Sequence, residues 1–331
     1  MAKVGKIIGV DISKSTFCVA YRSGTSMKTR TWEYTQEQMD EFAESLDSDN
    51  MVVMEATGVY HTRLAACLHS RGLMVSVVNP LSVKNFARML MRRAKTDKAD
   101  SKLLVEYGET MELDLWEPKE AWYVEVQQIY SLLESRNKEL AMAINHMEAL
   151  NHSQIASGVC LKMVKDDIER IKRDIARLED EIVTLVESND GSNMKNLVTV
   201  PGIGQRTACL LLALTGSMKR FDNHRQVVSY LGMCPRLYES GTSVRGKAKI
   251  CKMGLENARK MLYLCALSAR RYNKACRELY ERLLEKGKAK KLALIAVANK
   301  LLKQAFAILK SGMPYDENFI SEKKVQKMLA R

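Results

Sequence analysis

Lys6-Ile7-Ile8-Gly9-Val10-Asp11 and Met51-Val52-Val53-Met54-Glu55 are two short apolar runs, each of which stops on a carboxylate. Runs of this length bounded by polar residues read as buried strands. Thr16-Phe17-Cys18-Val19-Ala20-Tyr21 follows the first as its hairpin partner, and a third strand falls around 29 to 34. A helix over 36 to 46 carries Met39, Phe42 and Leu46 at helical spacing, and a second covers about 60 to 70. A strand over 74 to 78 ends at the Asn79-Pro80 breaker, so the order is β-β-β-α-β-α-β, a mixed α/β sheet domain.

The acids fall where such a sheet places its ligands. Asp11 and Glu55 close two apolar strands, and open α/β sheets bind at the carboxyl ends of their strands. In Lys95-Thr96-Asp97-Lys98-Ala99-Asp100 two more acids stand three residues apart, on one face of an expected helix. Taken singly, each has an ordinary alternative as a turn residue, an N-cap or part of a solvated helix face. Gathered together, four carboxylates repel unless a cation neutralises them, and Mg²⁺, which takes hard oxygen ligands, is the candidate. Lys84, Arg88, Arg92, Arg93, Lys95 and Lys98 lead into the pair, interleaved with Phe86, Met89, Leu90 and Met91. This predicts one basic amphipathic helix that lays a nucleic-acid backbone beside the metal site.

A second signal lies far downstream in Tyr238-Glu239-Ser240-Gly241-Thr242-Ser243-Val244-Arg245-Gly246, a hydroxyl-bearing loop flanked by glycines. From 241 to 310 there are eighteen Lys and Arg against four Glu and no Asp, while the whole chain carries +13. The excess is therefore confined to this segment, with Arg245, Lys247, Lys249 and Lys252 after the loop and Lys288, Lys290 and Lys291 further on. A polyanionic partner follows, nucleic acid before a membrane surface. Upstream of the loop, Val200-Pro201-Gly202-Ile203-Gly204 before an apolar helix resembles a helix-hairpin-helix turn, with Gly202 and Gly204 opening backbone N–H groups to a phosphate. A tight connection explains the same residues equally well.

Between these parts, Val126 to Leu150 and Leu161 to Leu185 repeat apolar residues by threes and fours. Two such stripes predict a helical hairpin or coiled coil for packing and self-association, ended by a linker at Asn189-Asp190-Gly191-Ser192-Asn193. Arg136 interrupts the first stripe.

Val10-Asp11-Ile12-Ser13-Lys14, Met54-Glu55-Ala56-Thr57-Gly58, Val77-Val78-Asn79-Pro80, Lys95-Thr96-Asp97-Lys98-Ala99-Asp100 and Tyr238-Glu239-Ser240-Gly241 resemble, in order, the pattern of the DEDD transposases of the Piv/MooV-like insertion-sequence type. That family includes bridge-RNA-guided recombinases. The resemblance implies a RuvC-like (ribonuclease-H-like) α/β domain over 1–115 whose metal ligands are Asp11, Glu55, Asp97 and Asp100. It implies a coiled-coil middle over 116–192, and a mainly α C-terminal transposase domain over 193–331 whose nucleophile is Ser240. It also implies donor and target DNA, a bridge RNA and a homo-oligomer, dimer or tetramer, as partners. Spacing alone does not choose between Ser240 and Ser243.

The eight cysteines form no Cys-x-x-Cys pair and no ligand spacing with the five histidines, so neither zinc nor a disulfide is expected. No run of eighteen apolar residues and no signal-peptide pattern at Met1-Ala2-Lys3 occurs, which predicts a cytoplasmic protein without a membrane partner. Three functions compete. The first is a DNA recombinase that forms a covalent phosphoserine. The second is a resolvase-like nuclease that activates water with the same acids, and the third is a non-catalytic nucleic-acid scaffold.

Overall fold

A computed structural model of the chain describes residues 5–56, 58–93, 96–236, 239–240, 244–245, 249–251 and 253–319, with 236, 239–240, 244–245 and 249 described in backbone only. It divides into two compact units, Met1–Lys119 and Glu120–Arg331.

The first unit is built on β1 (Ile7–Ile12), β2 (Thr16–Ser23), β3 (Ser26–Glu33), α1 (Gln36–Glu44), β4 (Met51–Glu55), α2 (Tyr60–Ser70), β5 (Met74–Val78), α3 (Pro80–Met89) and α4 (Asp97–Thr110). The five strands form one mixed sheet in the order β3-β2-β1-β4-β5. β1 pairs antiparallel with β2 and parallel with β4. Strand alternation sends Ile8, Val10 and Ile12 to one face, where they pack with Met39 and Phe42 of α1 and Leu64 and Leu68 of α2. The opposite face carries Ile7, Met51 and Val53 against Val83 and Phe86 of α3 and Leu103, Leu104 and Tyr107 of α4. Full burial of a side chain such as Leu64, Leu68 or Leu104 stabilises by about 1.5–3 kcal/mol.

Two glycines let α4 lie unusually close to the sheet. A Cβ on Gly9 would stand 2.1 Å from the Ser101 backbone oxygen and 2.8 Å from the Val105 nitrogen. One on Gly108 would stand 2.7 Å from Ile7 Cγ2 and 2.9 Å from Val53 Cγ2. Helix backbone therefore rests directly on strand backbone at Gly9.

The basic stretch 84–98 is not one helix. α3 stops at Met89, and Met91 takes a left-handed backbone (φ 53°). The chain then starts afresh at α4, where Thr96 is the N-cap and its Oγ1 accepts from the Ala99 N–H at 3.2 Å. The two helices are held together by the Phe86 and Tyr107 rings, edge to face at 5.3 Å.

The second unit contains α5 (Ala121–Asn151), α6 (Gly158–Val198), α7 (Gln205–Thr215), α8 (His224–Tyr230), four two-residue strands, α9 (Glu256–Tyr272), α10 (Lys274–Glu285) and α11 (Lys290–Ser311). The strands are β6 (Pro235–Arg236), β7 (Glu239–Ser240), β8 (Val244–Arg245) and β9 (Lys249–Ile250). α5 and α6 make the expected hairpin, whose base is part of the C-terminal core. Val126, Leu133, Ile182 and Val186 share one cluster with Leu211 and Leu212 of α7, Leu262 of α9 and Leu301 of α11. α11 is long and apolar enough by composition to cross a membrane, but Val297, Leu301, Leu302 and Ala305 are buried in this core.

Two details of the hairpin differ from the sequence expectation or complete it. The segment 189–193 is not a linker: α6 runs through it with a single kink at Asp190 (φ −143°, ψ 35°). Met194 and Leu197 beyond the kink are buried, and their packing outweighs the turn propensity of Asn-Asp-Gly-Ser-Asn. The Asp190 carboxylate accepts from Ser217 Oγ and, at 2.9 Å, from Asn193 Nδ2. Arg136, the irregular residue of the first stripe, pairs with Glu139 on its own helix and lies 3.8 Å from Asp174 on α6, clasping the two helices.

Candidate active site

β1 and β4 run parallel with Val10 opposite Met54, so the next residues, Asp11 and Glu55, sit side by side at adjacent carboxyl ends. Alternation along each strand puts both on the face covered by α3 and α4, in line with Gly9 and Val53. Gly9 is what brings the other pair in. Because nothing projects from it, Ser101 packs against β1, and Asp100, one residue before, reaches the end of the same strand. Ser101 is fully buried and donates from Oγ to the Lys98 carbonyl at 3.2 Å, which fixes this first turn. Asp97 and Asp100 occupy the N-terminal turn of α4, where the helix dipole stabilises negative charge.

The charges of the other three acids are felt at Asp11. Burial first, then the charges of Asp100, Asp97 and Glu55, push the Asp11 carboxyl up from 3.8 to about 6, against the opposing hydrogen bond from the Ile12 backbone. The other three charges reach Asp11, yet among the described residues no three His, Cys, Asp or Glu groups stand close enough to ligate one ion as placed. Four carboxylates nonetheless suit a hard divalent cation, which would relieve the repulsion that adds to burial in raising Asp11.

Beside the acids lies a cleft of about 830 Å³ between α3 and α4. Glu55 and Asp100 line it together with Lys84, Arg88, Arg92, Arg93, Lys98 and Lys102. Asn79 delivers α3 to this position: its Oδ1 accepts from the Leu81 N–H at 2.8 Å, with Pro80 as the first helical residue. Arg92 is held across the cleft by Glu106 at 2.8 Å. Lys95 lies outside the described residues. Gly9, Lys102 and Glu106 were not singled out from sequence. A glycine inside a buried apolar run was the available signal for the first.

In the second unit Ser240 ends β7, opposite Val244 of β8, with Glu239 opposite Arg245. An outer ladder, Pro235 opposite Ile250 and Arg236 opposite Lys249, closes the base of the same segment. Ser243, Lys247 and Lys252 lie outside the described residues. Lys288, Lys290 and Lys291 are exposed at the α10–α11 turn. Gly202 (φ 107°) packs so tightly on α9 that a Cβ would stand 2.6 Å from the Ala269 Cβ, whereas Gly204, the N-cap of α7, is open.

Residues 8–152 match a family model described as a transposase, of the DEDD type, and residues 194–281 match the Transposase IS116/IS110/IS902 family. Over 321 residues the chain is 30% identical to the pilin gene-inverting protein of Moraxella lacunata, covering 94% of this chain and 97% of that one. The chain belongs to the IS116/IS110/IS902 family of transposases. The counterpart of Moraxella bovis matches to the same extent, and the transposase for insertion sequence element IS1111A of Coxiella burnetii is 24% identical over 326 residues, 82% of this chain and 85% of that one. This transposase is accordingly a DNA-cleaving and DNA-joining enzyme that depends on a divalent metal ion.

Proposed function

We propose that the transposase excises and rejoins DNA through a covalent phosphoserine, with Asp11, Glu55, Asp97 and Asp100 as ligands of Mg²⁺ and Ser240 as nucleophile. The observation that carries this reading is the parallel register that sets Asp11 beside Glu55, with the charges of Asp97 and Asp100 felt at Asp11, next to a cation-lined cleft. Mg²⁺ bound there supplies Lewis-acid neutralisation of the charge that develops on a phosphodiester under attack. Arg88, Arg92 and Arg93 hold the DNA backbone along the cleft, and Lys95, between them and the acids in sequence, joins them.

In the strand-breaking step Ser240 Oγ bonds to phosphorus, the bond to one sugar oxygen breaks, and the seryl proton ends on the released sugar hydroxyl. A second DNA hydroxyl then displaces the serine, and the number of phosphodiester bonds is unchanged. Arg245, Lys247, Lys249 and Lys252 neutralise phosphates around the loop. Lys288, Lys290 and Lys291 do so further away, and Gly204, with the N-terminus of α7, offers backbone N–H groups in a helix-hairpin-helix role. Gly202 allows that turn to seat against α9. Lys290 and Lys291 support a polyanionic partner, because cations in the first turn of α11 oppose its dipole and gain nothing from the fold.

The first unit thus serves as a RuvC-like catalytic domain, and the hairpin 116–192 as the means of forming a homo-oligomer. Donor and target DNA are selected by a bridge RNA in this reading, which rests on the family resemblance. The test is Ser240→Ala in the full chain. Loss of the denaturation-resistant protein–DNA adduct is expected, with DNA binding retained and a smaller loss for Ser243→Ala. Strand exchange by Ser240→Ala at the wild-type rate would hand the chemistry to metal-activated water.

A further inference from the structure

The turn that ends α3 contradicts the chemistry of its own backbone. Arg92 N–H donates to the Ala87 carbonyl and Met91 N–H to the Arg88 carbonyl, both at 3.0 Å, the pattern of a helix end closed by one left-handed residue. That residue is Met91, φ 53°. Glycine or asparagine relieves the strain at such a position, and a long side chain does not. Packing gives nothing back, since Met91 is 85% exposed. Met89 and Leu90 beside it are 64% and 39% exposed, so three consecutive apolar residues form a bare tip. A residue that costs the fold free energy and contacts little of it is kept for something outside.

The tip is rigidly mounted. Val83 and Phe86 anchor α3 in the core, the Phe86–Tyr107 ring contact ties it to α4, and the Arg92–Glu106 ion pair fixes the residue after the turn. Arg88, Arg92 and Arg93, its neighbours in sequence on either side, line the cleft that holds Glu55 and Asp100. Duplex DNA supplies phosphates for these arginines and an apolar base face for the tip.

We propose that Met89, Leu90 and Met91 form a wedge that enters the base stack of DNA beside the carboxylate site and takes the face of an unstacked base. Apolar side chains inserted between base steps kink and open duplexes, and the polarizable methionine sulfur suits an aromatic face. The inference rests on the proposed placement of DNA along Arg88, Arg92 and Arg93.

The experiment uses the full chain, purified from cells carrying the whole insertion sequence, and duplexes spanning the junction of that sequence with its flank. Each duplex carries 2-aminopurine at one position, whose fluorescence rises when the base unstacks. Wild type is expected to raise the signal at one or two adjacent positions. Met91→Gly, which suits the left-handed backbone, is expected to lose that rise while keeping duplex affinity and a thermal midpoint no lower than wild type. Bound wild type with a flat signal at every position overturns the wedge and leaves the proposed chemistry standing, as does a full rise with Met91→Gly. A rise with 2-aminopurine in a single-stranded RNA of the same sequence, but not in the duplex, also overturns it. A change of solution mass in Met91→Gly would show that the tip meets another subunit instead. Absence of any DNA binding by wild type would remove both readings.

Discussion

Gly9→Ala is the smallest change that reaches the carboxylate site without touching a carboxylate. The new Cβ would stand 2.1 Å from the Ser101 oxygen, where a carbon and a carbonyl oxygen come no nearer than about 3.3 Å. The obstacle is helix backbone rather than the end of a side chain, so α4 must retreat by about 1 Å. Asp97 and Asp100 travel with α4 while Asp11 and Glu55 stay with the sheet, and the proposed ligand set is pulled apart along its seam. A misplacement of about 1 Å costs on the order of 10²-fold in rate. Overpacking destabilises by about 1–3 kcal/mol, offset by about 0.5–1 kcal/mol for replacing glycine within a strand. The assay is metal-dependent strand cleavage by the full chain, alongside thermal unfolding. Gly108→Ala is the control: its Cβ meets methyl groups of Ile7 and Val53, which can yield, far along α4 from the acids. Gly9→Ala is expected to lose cleavage out of proportion to its lost stability, and Gly108→Ala is not. Equal cleavage by Gly9→Ala and wild type would refute the argument that this missing side chain sets the site.

Asp11 makes the metal-free protein sensitive to pH. Its folded value, about 6, lies above the ordinary 3.8, so the folded state binds more protons in between, and stability falls as pH rises from 4 to 6. The loss is about 1–2 kcal/mol once solvent screening of a part-exposed carboxyl is allowed for. The difference in stability between wild type and Asp11→Asn, from denaturant unfolding in a chelator, should carry this slope. Adding Mg²⁺ near pH 6 should release protons, measurable by calorimetry in buffers of different ionisation enthalpy. On the hairpin, Met142 and Met163 are exposed apolar residues, whereas Ile171 is buried within the hairpin itself. Met142→Glu with Met163→Glu is therefore expected to lower the solution mass without unfolding α5 and α6, as read by light scattering and circular dichroism.

The sheet was legible because its apolar runs mark its strands, even though β1 runs one residue past Asp11. Asp11 and Glu55 close Val10 and Met54, which are paired neighbours, and a parallel register needs no more than that to bring two acids together. The separation of α3 from α4 was not legible, because Met89-Leu90-Met91 contains no glycine or proline and continues the apolar pattern. The opposite error occurred at Asn189-Asp190-Gly191-Ser192-Asn193, where turn residues are carried through a helix by the buried Met194 and Leu197. Arg136 made no sense on one helix because its second partner, Asp174, is on the other. Gly9 was visible as a glycine in a strand, but only the helix lying across it shows why no side chain fits there.

The kink at Asp190 also has a mechanical meaning. Gly158 to Asp190 is about 48 Å of helix, and α5 is tied to the core near the same end by Gln127, whose Nε2 donates to the Ala213 carbonyl at 3.4 Å. Ile182 and Val186 are held in the C-terminal core, so helix and partner project as an arm from there, with the Asp190 kink setting its direction. Gly158 to Ile182 is about 36 Å, so a change of about 10° in that direction moves the far tip by about 6 Å, nearly two base-pair steps of about 3.4 Å each. Breaking the Ser217–Asp190 contact would loosen the pivot of that arm while leaving the apolar seam between its two helices untouched.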